Sequence, residues 1–482
     1  MKRMKKILAM LLALTMVLGM GLTAMAANED GIIGTEDDRG TVSVSGVEED
    51  VTVTVYPIAM ADYDDEGNFS GYTNTYSLED IENPTQAELA AIASTVTGGQ
   101  TLDWDAATGT YKKSDLPVGM YLVCVTDSET VVYNVAVVSI NYVNDDGENQ
   151  ITPGSVTMLE SGATWVKKSN VPAVDKYIVE NEQQLLGNTV DIGDDVAYEV
   201  KINPVPNYGG NYPVLNVVDT LEEGLTYNNN LAVTVGNTEL QKDEDYTLDV
   251  NGQIITVNFV VNNAYTLNEY TGEELIISYS AKLTGTNVDF NDDENVNTAV
   301  LTYSKDSKTT GNTDTDTIST YTATFDIKNN VLKVKEDGTA LGGATFDIYT
   351  DADCTAEYRN ERIKEELVTD SNGRLALEGL DAGTYYLKEI AAPEGYSVNT
   401  TVFEIVITAE HEENGEIKSF TVVSKPHGSN DVGTNNLEIV NTTLNALPST
   451  GGIGTTIFTV AGCGIMIAAA FFFFASRKKE NE

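Results

Sequence analysis

Across most of this chain, apolar residues recur at every second position rather than every third or fourth. Val42 and Val44, then Val51, Val53 and Val55, alternate with polar neighbours between residues 41 and 56, and the same rhythm runs through 196–202, 254–260, 275–283 and 403–407. Successive side chains of a strand point to opposite faces, so this period calls for half-buried strands and argues against helix over those stretches. Turn-forming clusters such as Asp65-Glu66-Gly67-Asn68, Asn251-Gly252 and Asp370-Ser371-Asn372-Gly373 separate the runs. Many short strands at such spacing predict an all-β protein of tandem immunoglobulin-like β-sandwich domains. One helix is expected, over 83–95, where Pro84 stands near the start and Leu89, Ile92 and Ala93 share a face.

Both ends of the chain follow different rules. Lys2, Arg3, Lys5 and Lys6 precede an apolar stretch from Ile7 to Leu22 and a small-residue site at Ala24-Met25-Ala26, the pattern of a secretory signal peptide ending at residue 26. At the other end, Leu447-Pro448-Ser449-Thr450-Gly451 precedes an apolar run over 453–475 and then Arg477-Lys478-Lys479. A run of that length at about 1.5 Å per residue suffices to cross a hydrocarbon core of roughly 30 Å as a transmembrane helix, with the basic tail, 476–482, held on the cytoplasmic side. A membrane span alone leaves the pentapeptide to chance. The whole order resembles an LPXTG cell-wall sorting signal, which implies cleavage by a sortase between Thr450 and Gly451 and covalent attachment of the Thr450 carbonyl to an amine.

About 420 residues lie between these ends, enough for three domains, and composition places their limits at 27–170, 171–320 and 321–446. The basic, proline-containing stretch 165–172 marks the first joint, and the Ser/Thr/Asp-rich run 304–320 is read as a linker or long connection. Of the formal charge of −46, residues 1–26 hold four positives and 447–482 a net +1, leaving about −51 between them. So acidic a surface excludes nucleic acid and anionic lipid as partners. The three cysteines are too few for a disulfide framework, so a secreted chain of this size needs another source of stability. With His411 and His427 the only histidines, there is little material for a histidine-based active site or zinc cluster. Acidic turns such as 289–295 read as solvated, and neither metal nor cofactor is expected.

The second and third segments share a frame. Each opens with a strand bearing one Lys and ends near a Val-Asn-Thr strand: Lys176 with Asn297, 121 residues on, and Lys333 with Asn441, 108 residues on. Alternation puts Lys176 on the face of Val174 and Ile178, and Asn441 on the face of Ile439. A lone strand Lys is normally solvated, and Lys333 also shares its face with Lys335. Burial would press a Lys towards its neutral, nucleophilic form. Each segment also supplies an acid after alternating apolar residues, Asp219 and Glu389. A neutral amine beside a carboxamide and a protonated carboxyl makes amide exchange with loss of ammonia plausible chemistry. Repetition of Lys, acid and Asn in one order is what favours chemistry over solvation.

Tyr385-Tyr386-Leu387-Lys388-Glu389-Ile390-Ala391-Ala392-Pro393-Glu394-Gly395-Tyr396 is similar to the E-box of sortase-assembled pilins, Tyr-x-Leu-x-Glu-Thr-x-Ala-Pro-x-Gly-Tyr, departing at Ile390. Asp219-Thr220-Leu221 with Gly224-Leu225-Thr226-Tyr227 is similar to the acid motif of their middle domains. Over nearly its whole length the chain resembles a backbone (major) pilin of Gram-positive pili, with a third domain like the collagen-adhesin B-type repeat. The resemblance implies internal isopeptide bonds Lys176–Asn297, assisted by Asp219, and Lys333–Asn441, assisted by Glu389, each tying the first strand of a domain to its last. The first domain has no Lys between Ala27 and Tyr111, so no such bond is expected there.

The implied function is a structural subunit of a covalent surface fimbria, not an enzyme, displayed on the wall of a Gram-positive bacterium. Its implied partners are a sortase, neighbouring subunits and peptidoglycan. The family's usual acceptor motif, Val-Tyr-Pro-Lys, is missing: Val55-Tyr56-Pro57 is followed by Ile58, and the interdomain position holds Trp165-Val166-Lys167-Lys168. Lys168 or Lys167 is therefore the acceptor candidate. That departure keeps open a monomeric wall-anchored adhesin or minor pilin binding host or bacterial surface ligands. A surface enzyme would need a pocket constellation that the sequence does not offer.

Overall fold

A computed structural model describes residues 34–81, 84–145, 148–158, 168–209, 213–308, 311–444 and 460–470. The expected signal peptide, Lys167, the 447–451 pentapeptide and most of the 453–475 span lie outside the described residues. Residues 460–470 are helical, and among the described residues no helix is long and apolar enough to cross a membrane. Strand is the dominant structure elsewhere. The chain divides into two compact units: Met1–Phe325 with Gly379–Ala382 and Thr408–Phe420, and Asp326–Glu378 with Gly383–Ile407 and Thr421–Glu482.

The first unit opens with two sheets. Arg39–Ser45 runs antiparallel to Thr110–Pro117 and parallel to Gly154–Thr157, while Thr52–Tyr63 pairs with Gly119–Thr126 on one side and Phe69–Asn74 on the other. Val42, Val44, Val53, Val55 and Val123 fill the space between with no exposed surface. The alternation expected across 41–56 is thus two strands. Gly46 makes the break: it adopts φ +73°, where a Cβ would also lie 2.2 Å from the Met158 carbonyl oxygen, so only glycine fits. Val44, Val47 and Val51 stand three and four residues apart, so the alternation changes phase across this turn. The helix is shorter than expected, Gln86–Ala93, because Thr85 caps it and Glu88 completes a capping box. Its Leu89, Ala90, Ile92 and Ala93 pack on Ile58, Met120 and Leu122.

Next in the first unit is a larger sandwich. One sheet runs Gln183–Leu185, Ala173–Glu180, Asp195–Asn203, Leu275–Leu283, Ala232–Val235, Thr238–Glu239, and the other Gly187–Thr189, Thr313–Ala323, Asn295–Ser304, Leu215–Leu221, Ile254–Asn258, Thr247–Asn251. Their inner faces share one core, with Val200, Ile202, Leu215, Leu275, Ala299 and Leu301 fully buried. The polar run read as a linker is in part Thr313–Ala323, paired with Asn295–Ser304 over ten positions. Its inward residues include Thr320 and Thr322, so no apolar stripe announces it. Asn297 therefore stands on a penultimate strand, and the expectation of a first-to-last link is corrected for this sandwich.

The second unit contains the pairs formed among Leu367–Val368, Thr345–Tyr349, Gly383–Ala391 and the strand that begins at Val402. Separately, Val331–Lys335 runs parallel to Leu437–Asn441. Here the first-to-last pairing is direct.

Candidate functional site

In the larger sandwich of the first unit, three alternating strands deliver their polar residue to one point. Val174, Lys176 and Ile178 face inward from Ala173–Glu180; Leu215, Val217 and Asp219 from Leu215–Leu221; Asn295, Asn297 and Ala299 from Asn295–Ser304. Lys176 and Asn297 have no exposed surface and Asp219 is 3% exposed. Lys176 Nζ donates to Asp219 Oδ2 at 2.5 Å, to Asn297 Oδ1 at 2.7 Å and to the Tyr279 hydroxyl at 3.2 Å. Lys176 belongs to one sheet and Asn297 to the other, so this contact spans the sandwich.

Aromatic walls complete the pocket. The Tyr198 and Tyr279 rings stack with centroids 5.3 Å apart, and Nζ lies 5.4 and 5.7 Å from them. Burial lowers the Lys176 ammonium to about 8 against the opposing pull of the Asp219 carboxylate. The neutral amine is thus within reach at ordinary pH.

The second unit repeats the arrangement on different strands. Lys333 is 1% exposed, Glu389 2% and Asn441 fully buried. Lys333 Nζ donates to Glu389 Oε2 at 3.0 Å and also to Asn441 Oδ1, while Asn441 Nδ2 donates to Glu389 Oε1 at 2.6 Å. Glu389 therefore touches both nitrogens that an amide exchange would involve. The Asn399 backbone N–H fixes Oε2 at 3.0 Å, and Phe346 lies 5.6 Å beneath the amine. Burial lowers the Lys333 ammonium from its ordinary value, with Glu389 opposing. Gly373 holds the Lys backbone: its carbonyl accepts from Lys333 N–H at 2.8 Å, and at φ +72° a Cβ there would sit 2.3 Å from the Lys333 carbonyl oxygen. Lys335, on the same strand, is only half-buried.

Each Lys, acid and Asn singled out in the sequence thus meets its two partners. Lys168 is placed apart, half-buried on Lys168–Asn170 opposite Tyr133. In the opening sheets the lysines of Thr110–Pro117 stay at the surface, Lys112 on Asp105 at 2.8 Å and Lys113 near Asp103 at 3.9 Å. Tyr279 was not foreseen. Its signal was available, since Leu275–Leu283 alternates without a break and Tyr279 is the inward residue there with a polar end.

Comparison with known proteins finds three matching domain and motif families. The Cna-B-like domain of Gram-positive pilin backbone subunit 2 matches residues 192–307, the prealbumin-like fold domain 327–420, and the LPXTG cell wall anchor motif 439–482. The trypsin-resistant surface T6 protein of Streptococcus pyogenes serotype M6 is 26% identical, across 97% of this chain and 99% of that one. Together the matched domains, the anchor motif and the T6 relative support a Gram-positive backbone pilin. The pilin is also 29% identical to the type 2 fimbrial subunit of Actinomyces naeslundii over 51% of its own length and 45% of that protein. Among solved structures, the T6 backbone pilin of S. pyogenes superposes on 86% of the pilin and all of its own chain at a TM-score of 0.55 and 19% identity, a likeness of fold. The anchor motif and the surface pilin relatives make it a wall-anchored surface protein.

Proposed function

We propose that this pilin is a shaft subunit, cleaved by a sortase between Thr450 and Gly451, joined through Thr450 to a Lys of the next copy, and locked internally by Lys176–Asn297 and Lys333–Asn441 isopeptide bonds. The observation that carries the internal bonds is the recurrence, on unrelated pairs of strands, of a fully buried Lys amine against an Asn carboxamide and a carboxyl group. In each, the amine attacks the Asn carbonyl carbon, the new N–C bond replaces the old one, and ammonia leaves with the proton the amine gives up. Asp219 and Glu389 take the ammonium proton and so make the amine nucleophilic. Peptidoglycan is the final acceptor, and the segments 27–170, 171–320 and 321–446 are the three modules of the shaft.

Lys168, with Lys167 beside it, is the proposed acceptor. It stands where the chain passes from the first pair of sheets into the strand of Lys176, so load entering there meets the first crosslink within eight residues. In the parent bacterium this reading predicts a high-mass ladder on denaturing gels that collapses to a single band when Lys167 and Lys168 are both changed to Ala. A single band in the unaltered strain would instead favour the monomeric wall-anchored adhesin that binds surface ligands.

A further inference from the structure

The two crosslinking sites differ in one respect that chemistry makes consequential. Glu389 places one oxygen on the Lys333 amine and the other on Asn441 Nδ2, so a single carboxyl group reaches both the nitrogen that loses a proton and the nitrogen that must gain one. Asp219 is one methylene shorter. Its Oδ2 meets Lys176, and among the described residues its buried Oδ1 has no hydrogen-bond partner. What lies against the departing nitrogen instead is a phenol: Asn297 Nδ2 donates to the Tyr279 hydroxyl oxygen at 2.7 Å, and Lys176 Nζ reaches the same oxygen at 3.2 Å.

Resting on the isopeptide reading above, we propose that Tyr279 is the proton relay of the Lys176–Asn297 site, doing through its hydroxyl what the second oxygen of Glu389 does in the other. Once Nζ has added to the Asn297 carbonyl carbon, Nδ2 becomes tetrahedral and gains a basic lone pair, so the hydrogen bond to Tyr279 reverses. The hydroxyl proton passes to Nδ2, the C–N bond breaks and ammonia departs, and the phenol oxygen recovers a proton from Nζ. One proton has moved between the two nitrogens, and Tyr279 ends as it began. Burial, and then the Asp219 charge, hold the phenol well above its ordinary pKa, which keeps it a neutral O–H rather than a phenolate. The stack on Tyr198 fixes the ring so that its oxygen stays between the two nitrogens.

Tyr279→Phe removes only the hydroxyl and keeps the ring in its stack. In the full chain made without sortase, peptide mapping by mass spectrometry follows each bond separately. The relay predicts that Tyr279→Phe slows Lys176–Asn297 formation roughly 10²-fold, leaving much of the site unjoined at isolation and joining over later incubation, with Lys333–Asn441 complete. Asp219→Glu in the Tyr279→Phe background should restore the rate, because the added methylene brings a carboxyl oxygen towards Nδ2 as in Glu389. A Lys176–Asn297 bond complete at isolation in Tyr279→Phe overturns the relay. So does slow joining that Asp219→Glu leaves unrescued, which would make Tyr279 a packing residue. Absence of both bonds from the unaltered chain would instead sink the isopeptide reading itself, and the relay with it.

Discussion

A lysine with almost no exposed surface is unusual enough to need a chemical reason, and among the described residues this pilin has two within hydrogen-bond reach of Asn carboxamides. Isolated burial would be costly; pairing with Asp219 or Glu389 lowers that cost, and conversion to an amide removes the charge altogether. The cost should be visible wherever the bond is blocked. In Asn297→Ala, Lys176 remains buried beside Asp219 with its pKa lowered to about 8 by burial, against an ordinary 10.5. Between those values the unfolded chain holds the proton that the folded chain has released, so stability rises with pH from about 8 to about 10.5 and is lowest below about 8, where the folded state carries the buried charge. Urea midpoints of Asn297→Ala should therefore rise over that interval relative to a Lys176→Met, Asn297→Ala control; a flat difference would mean that burial does not lower the Lys176 pKa. At this scale the sequence was legible for the triads because their residues lie on alternating strands, Lys333 excepted, whose neighbour Val334 is buried as well. Tyr279 escaped because an inward Tyr in such a strand looks like any other core aromatic.

Among the elements, legibility depended on whether the buried face was apolar. Leu275–Leu283 was expected over those same residues, since five of its nine positions are buried and the others are not. The 304–320 run reads as a linker or long connection because it has almost no apolar residue; Thr320 and Thr322 occupy buried positions of Thr313–Ala323, and pairing with Asn295–Ser304, not a hydrophobic stripe, fixes that strand. The two proposed crosslinks would also join strands differently: Lys333 and Asn441 lie on neighbouring parallel strands, Lys176 and Asn297 on opposite sheets. The turn at Gly373 positions Lys333 for the first of these. Gly373→Ala, strained at φ +72° and crowded against the Lys333 carbonyl, should destabilise its unit by about 1 kcal/mol or more. It should also lower the fraction of Lys333–Asn441 bond found by peptide mapping while leaving Lys176–Asn297 intact. Unchanged yield and stability would show that the turn does not hold the lysine.

For the whole molecule, three free cysteines and no disulfide framework leave stability to packing and to the proposed crosslinks. Each would close a loop of more than a hundred residues, worth roughly 4 to 5 kcal/mol by loss of unfolded-chain entropy. Asn441 stands six residues before Leu447, so a load arriving at Thr450 would cross to Lys333 through covalent bonds after a short tether. The architecture was legible as tandem β domains because alternation and turns repeat along the chain. The grouping into units was not, because Gly379–Ala382 and Thr408–Phe420 belong with the first unit by contacts distant in sequence. Covalent locking is the central claim, and intact mass reads it directly. The mature chain from a host without sortase should fall short of its sequence mass by two ammonia molecules, about 17 Da each. Lys176→Ala and Lys333→Ala should each restore one loss after allowance for the substitution, whereas the full unmodified mass in the unaltered chain would contradict the account.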